Sequence, residues 1–217
     1  MDFKIIAEGN TDYRVLKTII QAIYPTSNVD VLVPTVDALS HKTIGHAGWE
    51  NVAKYLQSDL FEDAVVNTDF LIIQIDTDVC EHPNFGVTPI TLADHNEIEF
   101  YELIKLKLIQ WIDTYELNTF TYYQDKIIFA ICIHSLECWL LAHYVPQNEL
   151  KLKKIKNGLD NLKRALNRNS INLIEPKDPN QYEVICKNFR KIKKHNIARE
   201  YSFSLDKFIC QLESILK

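Results

Sequence analysis

Residues 3–16 read FKIIAEGNTDYRVL and residues 70–82 read FLIIQIDTDVCEH. Each begins as an apolar run of strand length and ends in acidic residues: Glu8 with Asp12 in the first, Asp76 with Asp78 in the second. Phe3–Ala7 predicts a buried strand that turns at Glu8-Gly9. Asn10 or Thr11 then caps a helix to about Tyr24, with Val15, Leu16, Ile19, Ile20 and Ile23 as its apolar stripe. Val29–Val33 and Ile127–Ile133 supply two further strands. A helix is expected from Trp49 through Leu60, another over Glu97–Tyr115, and a third from Ser135 through His143. Strands alternating with helices predict an α/β domain with a mostly parallel, Rossmann-like four-stranded sheet.

In an open parallel sheet the carboxyl ends of the strands share one edge, where ligands bind. Glu8, Asp12, Asp76, Asp78 and Glu137 all follow strands, so they are expected to converge despite their separation in sequence. Asp76 and Asp78, at i and i+2 in extended chain, would point to one side, with Glu8 facing them. Carboxylates gathered without cations repel one another. A divalent metal removes that conflict, and hard oxygen donors favour Mg²⁺ or Mn²⁺ over zinc. Gly9 permits a sharp turn or a close backbone approach, and the helix start behind it favours an anion. Taken singly, an acidic residue after a strand is an ordinary turn or cap; the specific signal is E-G-x-x-D after the first strand paired with D-x-D after the third.

The chain has 217 residues and a formal net charge of -5, from 24 basic and 29 acidic residues. That total hides three regions. Residues 1–150 carry 8 basic and 22 acidic residues, a balance of -14; residues 151–199 carry 14 and 4, a balance of +10; the last 18 carry 2 and 3, a balance of -1. Beyond Pro146 strand signals stop, and segments near 149–168, 180–195 and 204–216 read as helical. The expected organisation is an α/β domain over 1–146 and a helical, basic extension over 147–217 packed on it. Lys151, Lys153, Lys154, Arg190, Lys191, Lys193 and Lys194 are the candidates for gripping a nucleic-acid backbone, DNA or RNA, although lysine-rich solvated helices are common.

The five cysteines are scattered with no CxxC, which supports neither a disulfide framework nor a cysteine zinc site. The first ten residues include Asp2, Lys4 and Glu8 and do not resemble a signal peptide. A cytoplasmic protein without a membrane segment is expected. No P-loop, GxGxxG or G-x-S-x-G occurs, so ATP hydrolysis and serine chemistry lack support. Trp111 and Trp139 sit at helical spacing and read as core, and packing is also the favoured reading of Trp49. His41, His46, His82, His95 and His134 read mainly as polar loop groups, with His82 and Glu81 flanking the D-x-D.

The paired acidic motifs, IIAEGNTDYRVL at 5–16 and LIIQIDTDVCEH at 71–82, resemble the Toprim domain of topoisomerases, primases and several nucleases. GHAGWENVAKYL at 45–56, ICIHSLECWLLAH at 131–143 and SFSLDKFICQL at 202–212 resemble segments of stand-alone Toprim-like proteins of bacterial defence loci. These are related to the nuclease part of overcoming-lysogenization-defect proteins. The resemblance spans most of residues 1–145 and, more weakly, the last fifteen. It implies a nuclease using two Mg²⁺ or Mn²⁺ ions. Glu8 would be the general acid/base or metal-facing group, Asp76 and Asp78 metal ligands, and Asp12 a ligand or positioner for a second ion, with Glu137 at the acidic position after strand 4. It also implies a basic residue near the transition state, which no position aligns with; Lys191, Lys193 or Lys194 could reach. An anti-phage effector with a separately encoded ATPase or sensor partner follows from the same resemblance, and self-association is compatible with it. The competing readings are a non-catalytic Toprim-like binding or regulatory subunit and a small RNA-maturation nuclease. A receiver-like phospho-acceptor domain using Asp76 would want a lysine opposite the aspartates, and strand 4 leads to Glu137 instead.

Overall fold

Four strands, β1 (Asp2–Ile6), β2 (Asn28–Val33), β3 (Phe70–Asp76) and β4 (Ile127–Cys132), form one sheet in the order β2-β1-β3-β4. Every pairing is parallel, with Ile5 opposite Val31 and Ile72, and Asp76 opposite Cys132. The computed structural model describes residues 1–37, 43–145, 157–171 and 177–215. β4 is buried along its whole length, and β3 from its second residue onward. That burial explains their unbroken apolar runs, because a parallel sheet covered on both faces has no polar side to alternate with.

Helices cover both faces. On one face lie α1 (Asn10–Ile23), α7 (Leu136–Tyr144) and four later helices: α8 (Gly158–Arg168), α9 (Pro179–Cys186), α10 (Ile192–Arg199) and α11 (Phe203–Ser214). Leu162, Leu166, Tyr182, Phe189 and Phe208 share one buried cluster with Phe3, Ile5, Leu16 and Ile72. On the other face, α2 (Trp49–Leu56), α3 (Asp59–Val66) and α5 (Glu97–Ile112) bury Val52, Phe61 and Phe100 against Ile6, Ile73 and Phe129. The alternation of Ile5 and Ile72 with Ile6 and Ile73 between clusters is the period-two geometry of strands. α7 is buried from Leu136 to Ala142 because it lies between the sheet and the later helices, so it is apolar on all sides.

The outer edge of β4 meets α11. Gln211 donates Nε2 to the Phe129 carbonyl at 2.9 Å and accepts from the Phe129 amide at 3.0 Å. A side-chain amide thereby pairs the strand's free backbone groups. Trp139 stacks on Phe208 at 5.5 Å and donates its indole N–H to Ser204. Trp49 packs between Phe85 and Trp111, with ring centroids 5.5 and 6.2 Å away.

Several elements differ from the sequence-based expectation. The helix read from Trp49 through Leu60 is two, because Ser58 is extended and α3 restarts after it with Asp59 and Glu62 in its first turn. The segment at 180–195 is broken by a tight turn at Lys187–Arg190. α5 ends at Ile112 rather than Tyr115. Short helices α4 (Leu92–His95) and α6 (Thr119–Tyr123) lie in stretches to which no element was assigned. Among the described residues, no helix is long and apolar enough to cross a membrane.

Candidate active site at the β1–β3 crevice

β1 sends the chain one way to β2, and the chain returns on the other side to form β3, so their carboxyl ends flank the sheet's switch point. A crevice opens there in doubly wound sheets. Two side chains stitch it together. The Glu8 amide donates to Gln74 Oε1 at 2.9 Å, and the Asp76 amide donates to Glu8 Oε1 at 2.6 Å. Gln74 also donates Nε2 to Asp76 Oδ1 at 2.9 Å, and the Leu136 amide at the start of α7 reaches the same oxygen at 3.0 Å. Asp76 is thus fixed by its own strand and by a helix N-terminus, where negative charge is favoured.

Asp12, in the first turn of α1, is 3% exposed. Its Oδ2 lies 3.4 Å from Thr11 Oγ1, while Oδ1 is buried without a hydrogen-bond partner among the described residues. Gly9 is required here for space rather than for backbone conformation: a Cβ at that position would stand 2.7 Å from Asp12 Oδ2.

Glu137 sits one residue into α7. Its Oε1 accepts from the Tyr182 hydroxyl at 2.6 Å and lies 2.9 Å from Lys177 Nζ. The same ammonium is 4.0 Å from Asp76 Oδ2. Lys177 precedes α9 in a left-handed conformation, φ 63°. The turns after β3 and β4 are locked to one another: the Thr77 and Asp78 amides both donate to the His134 carbonyl at 3.0 Å, and the His134 amide donates to Thr77 Oγ1. This lock corrects the expected geometry of the D-x-D. β3 ends at Asp76, and Asp78 stands in a turn at the exposed rim rather than in extended chain beside it.

The charges act on one another. Burial pushes Glu8 up to about 8, and the charges of Asp12 and Asp78 add to the rise against the Asp76 amide and Lys177. Burial likewise lifts Asp12 to about 6, opposed by Lys177. Asp76 rises well above the ordinary aspartate range through burial and the nearby Asp12 and Glu8 charges. Asp78 is also raised: the crevice walls desolvate it although its side chain meets solvent. Glu137 goes the other way. Burial disfavours its charge, but Lys177 and the hydrogen bonds from Tyr182 and Ser135 hold it below the usual carboxylate range. The five carboxylates and Lys177 therefore form one electrostatic group.

An open crevice of about 480 Å³ is lined by Asp76, Asp78, His134, Glu137, Gly158 and Lys177, among others. Its floor depends on Gly158, whose Cβ would come within 2.8 Å of Ser135 Oγ and 2.9 Å of Cys138 Sγ. α8 can start against α7 only because no side chain stands there.

The donor set fits a hard divalent cation. The nearby thiols Cys132 and Cys138 are pushed up by burial, Cys138 to about 12, so they stay protonated and are poor ligands. Asp12 Oδ1 is a buried oxygen with no partner among the described residues. Among the described residues, no three His, Cys, Asp or Glu side chains are arranged to hold an ion between them. Mg²⁺ is commonly held by one or two carboxylates, with waters and substrate phosphates completing the shell. Asp12 and Asp76 are the two buried carboxylates whose chemistry suits that mode, with Glu8 bonded beside Asp76.

Of the candidate phosphate-gripping residues, Lys151, Lys153 and Lys154 lie outside the described residues. Arg190, Lys191, Lys193 and Lys194 are exposed, with Arg190 3.5 Å from Glu183. Among the described hydrogen bonds and ion pairs, none joins Lys191, Lys193 or Lys194 to these carboxylates. Lys194 acts on His143, at the opposite end of α7 from Glu137. Among the described residues, the cation at the carboxylates is Lys177. Lys177, Tyr182 and Gln74 escaped the sequence reading. Only Gln74 carried a signal, as the lone polar residue inside LIIQI at 71–75. The His82 ring meets Trp49 at a tilt, centroids 5.3 Å apart, and Glu81 accepts from the Ile90 amide; no described bond joins either to the carboxylate group.

Comparison with protein-family models, curated proteins and solved structures returns no match to this chain.

Proposed function

We propose that this chain is a metal-dependent nuclease that hydrolyses phosphodiester bonds of DNA or RNA. The observation carrying this reading is the meeting of Glu8, Asp12, Asp76 and Glu137 around Lys177 at the sheet's switch point. Bound Mg²⁺ or Mn²⁺, one ion or two, would neutralise phosphoryl oxygens and lower the pKa of an attacking water.

The chain's own residues supply the rest. Asp12 and Asp76 offer buried oxygens to the metal, with Asp78 at the rim where substrate enters. Glu8, raised to about 8, can take or hold a proton near neutral pH, which suits a general acid/base. Lys177 presents the positive charge that a phosphate undergoing attack requires. Tyr182 and Lys177 occupy one Glu137 oxygen, so in the metal-free chain Glu137 anchors the lysine. Lys191, Lys193, Lys194 and Arg190 form an exposed basic surface for nucleic-acid backbone away from the cutting centre. A role as an anti-phage effector with an ATPase or sensor partner extends this reading and rests on the Toprim resemblance.

The test is cleavage of labelled DNA and RNA with Mg²⁺ or Mn²⁺ by wild type and Asp76→Ala. Metal-dependent cleavage lost in the variant supports the reading. Undiminished cleavage by the variant removes it. Binding without cleavage favours the non-catalytic subunit, and cleavage restricted to RNA favours the maturation nuclease.

The position of Lys177 also bears on the receiver-like alternative, since it supplies the lysine opposite Asp76 that strand 4 does not. Asp76 is 6% exposed and its Oδ1 is held by two donors, which disfavours attack on a phosphodonor.

A further inference from the structure

Among the described residues, the carboxylate group is under-compensated by what touches it. Lys177 Nζ makes one close contact, 2.9 Å to Glu137, and one loose contact, 4.0 Å to Asp76. Asp12 Oδ1, buried in the group, meets no donor among the described residues. One single charge on a flexible stem is a weak match for several buried carboxylates, because an ammonium is a point charge without a fork to hold it in register. The lysine side chain is also half in solvent, at 48% exposure, whereas the Glu137 and Asp76 side chains are at 2% and 8%. Its ammonium can leave toward the crevice mouth while the acids cannot follow.

We propose that Lys177 is the resident counter-ion of the Glu8–Asp12–Asp76–Glu137 group, and that a divalent cation enters by displacing its ammonium into the substrate crevice. The inference rests on the metal-dependent reading above and adds a regulatory step to it. Vacating the acids places the freed ammonium where a phosphate would lie. Tyr182 keeps Glu137 hydrogen-bonded when the lysine departs. In this arrangement metal and lysine compete for the same negative charge, and binding of one weakens the other.

The experiment measures Mn²⁺ affinity by electron paramagnetic resonance on wild type, Lys177→Met and Lys177→Arg, with thermal melts to verify folding. Lys177→Met should bind Mn²⁺ about tenfold or more tightly, and Lys177→Arg no more tightly than wild type. In parallel, acetic anhydride labelling of wild type read by mass spectrometry should show Lys177 becoming more reactive as Mn²⁺ is added. Labelling decides the matter if Lys177→Met does not fold. Equal binding by wild type and Lys177→Met, or Lys177 labelling indifferent to Mn²⁺, overturns the displacement and leaves the proposed function standing. No Mn²⁺ binding by any of the three proteins overturns both.

Discussion

The backbone amide of Asp76 donates to Glu8 Oε1 at 2.6 Å, so the acidic end of one strand is bonded to the main chain of its neighbour. Geometry and charge can be separated here, because a glutamine offers the same acceptor without the negative charge. Glu8→Gln should keep the fold and lower cleavage on the order of a hundredfold or more, the scale of a lost general acid/base. Single-turnover kinetics on a labelled oligonucleotide provides the measurement. A variant as fast as wild type excludes Glu8 from the chemistry.

Gln74 accepts from the Glu8 amide and donates to Asp76, and an apolar replacement leaves that amide unpaired inside the protein. Gln74→Leu strands the Glu8 amide and withdraws a donor from Asp76. Unfolding in urea should show a loss of about 1–3 kcal/mol, the usual cost of an unsatisfied buried polar group. An unchanged midpoint would mean that solvent already reaches these groups.

Space, not charge, is tested at Gly158. A methyl group there would press on Ser135 and Cys138, forcing α8 away from α7. Gly158→Ala should lower stability by about 1–3 kcal/mol, as overpacking does, and reduce cleavage because Asn157–Asp160 line the crevice. A variant with a wild-type melting curve contradicts this close fit.

Metal-free protein should grow less stable as pH rises from about 6 to about 8. Asp12 and Glu8 hold protons more tightly when folded than at their ordinary values of 3.8 and 4.5. Their contribution to stability is complete below those ordinary values. It disappears as pH climbs through about 6 for Asp12 and about 8 for Glu8, because the folded state binds more protons than the unfolded state. Differential scanning calorimetry with chelator should give a lower Tm at pH 8 than at pH 6, and saturating Mg²⁺ should flatten that slope. A Tm that rises over this window contradicts the burial of uncompensated acids.

Much of the frame could be read in advance because parallel strands announce themselves. Leu71–Ile75 and Ile127–Ile133 are apolar runs too short for a spanning helix and bounded by turns, and both are strands for most of that length. The meeting of Glu8, Asp76 and Glu137 followed from one topological fact, that parallel strands end on a common edge. Asp78 was harder, since D-x-D is equally good as extended chain and as a turn; the choice is made by His134, whose carbonyl captures two amides from a distant strand end. Lys177 had no local mark. It stands in EPKDPN at 175–180, which reads as an ordinary loop, and its meaning comes only from where α9 docks. Tyr182 was hidden for the same reason: its hydroxyl is assigned by a carboxylate 45 positions away.

The contact of Lys177 and Tyr182 with Glu137 has a consequence for how the molecule is made. During synthesis every carboxylate of the group emerges first, and Lys177 follows Glu137 by 40 positions. At roughly 5–20 residues per second, that is an interval of about 2–8 s. Throughout it the emerged chain carries these acids without the lysine and tyrosine that contact Glu137 in the folded protein. The carboxylate group is therefore completed late, and a product released before residue 177 would carry the acidic motifs while lacking the lysine and tyrosine that contact Glu137.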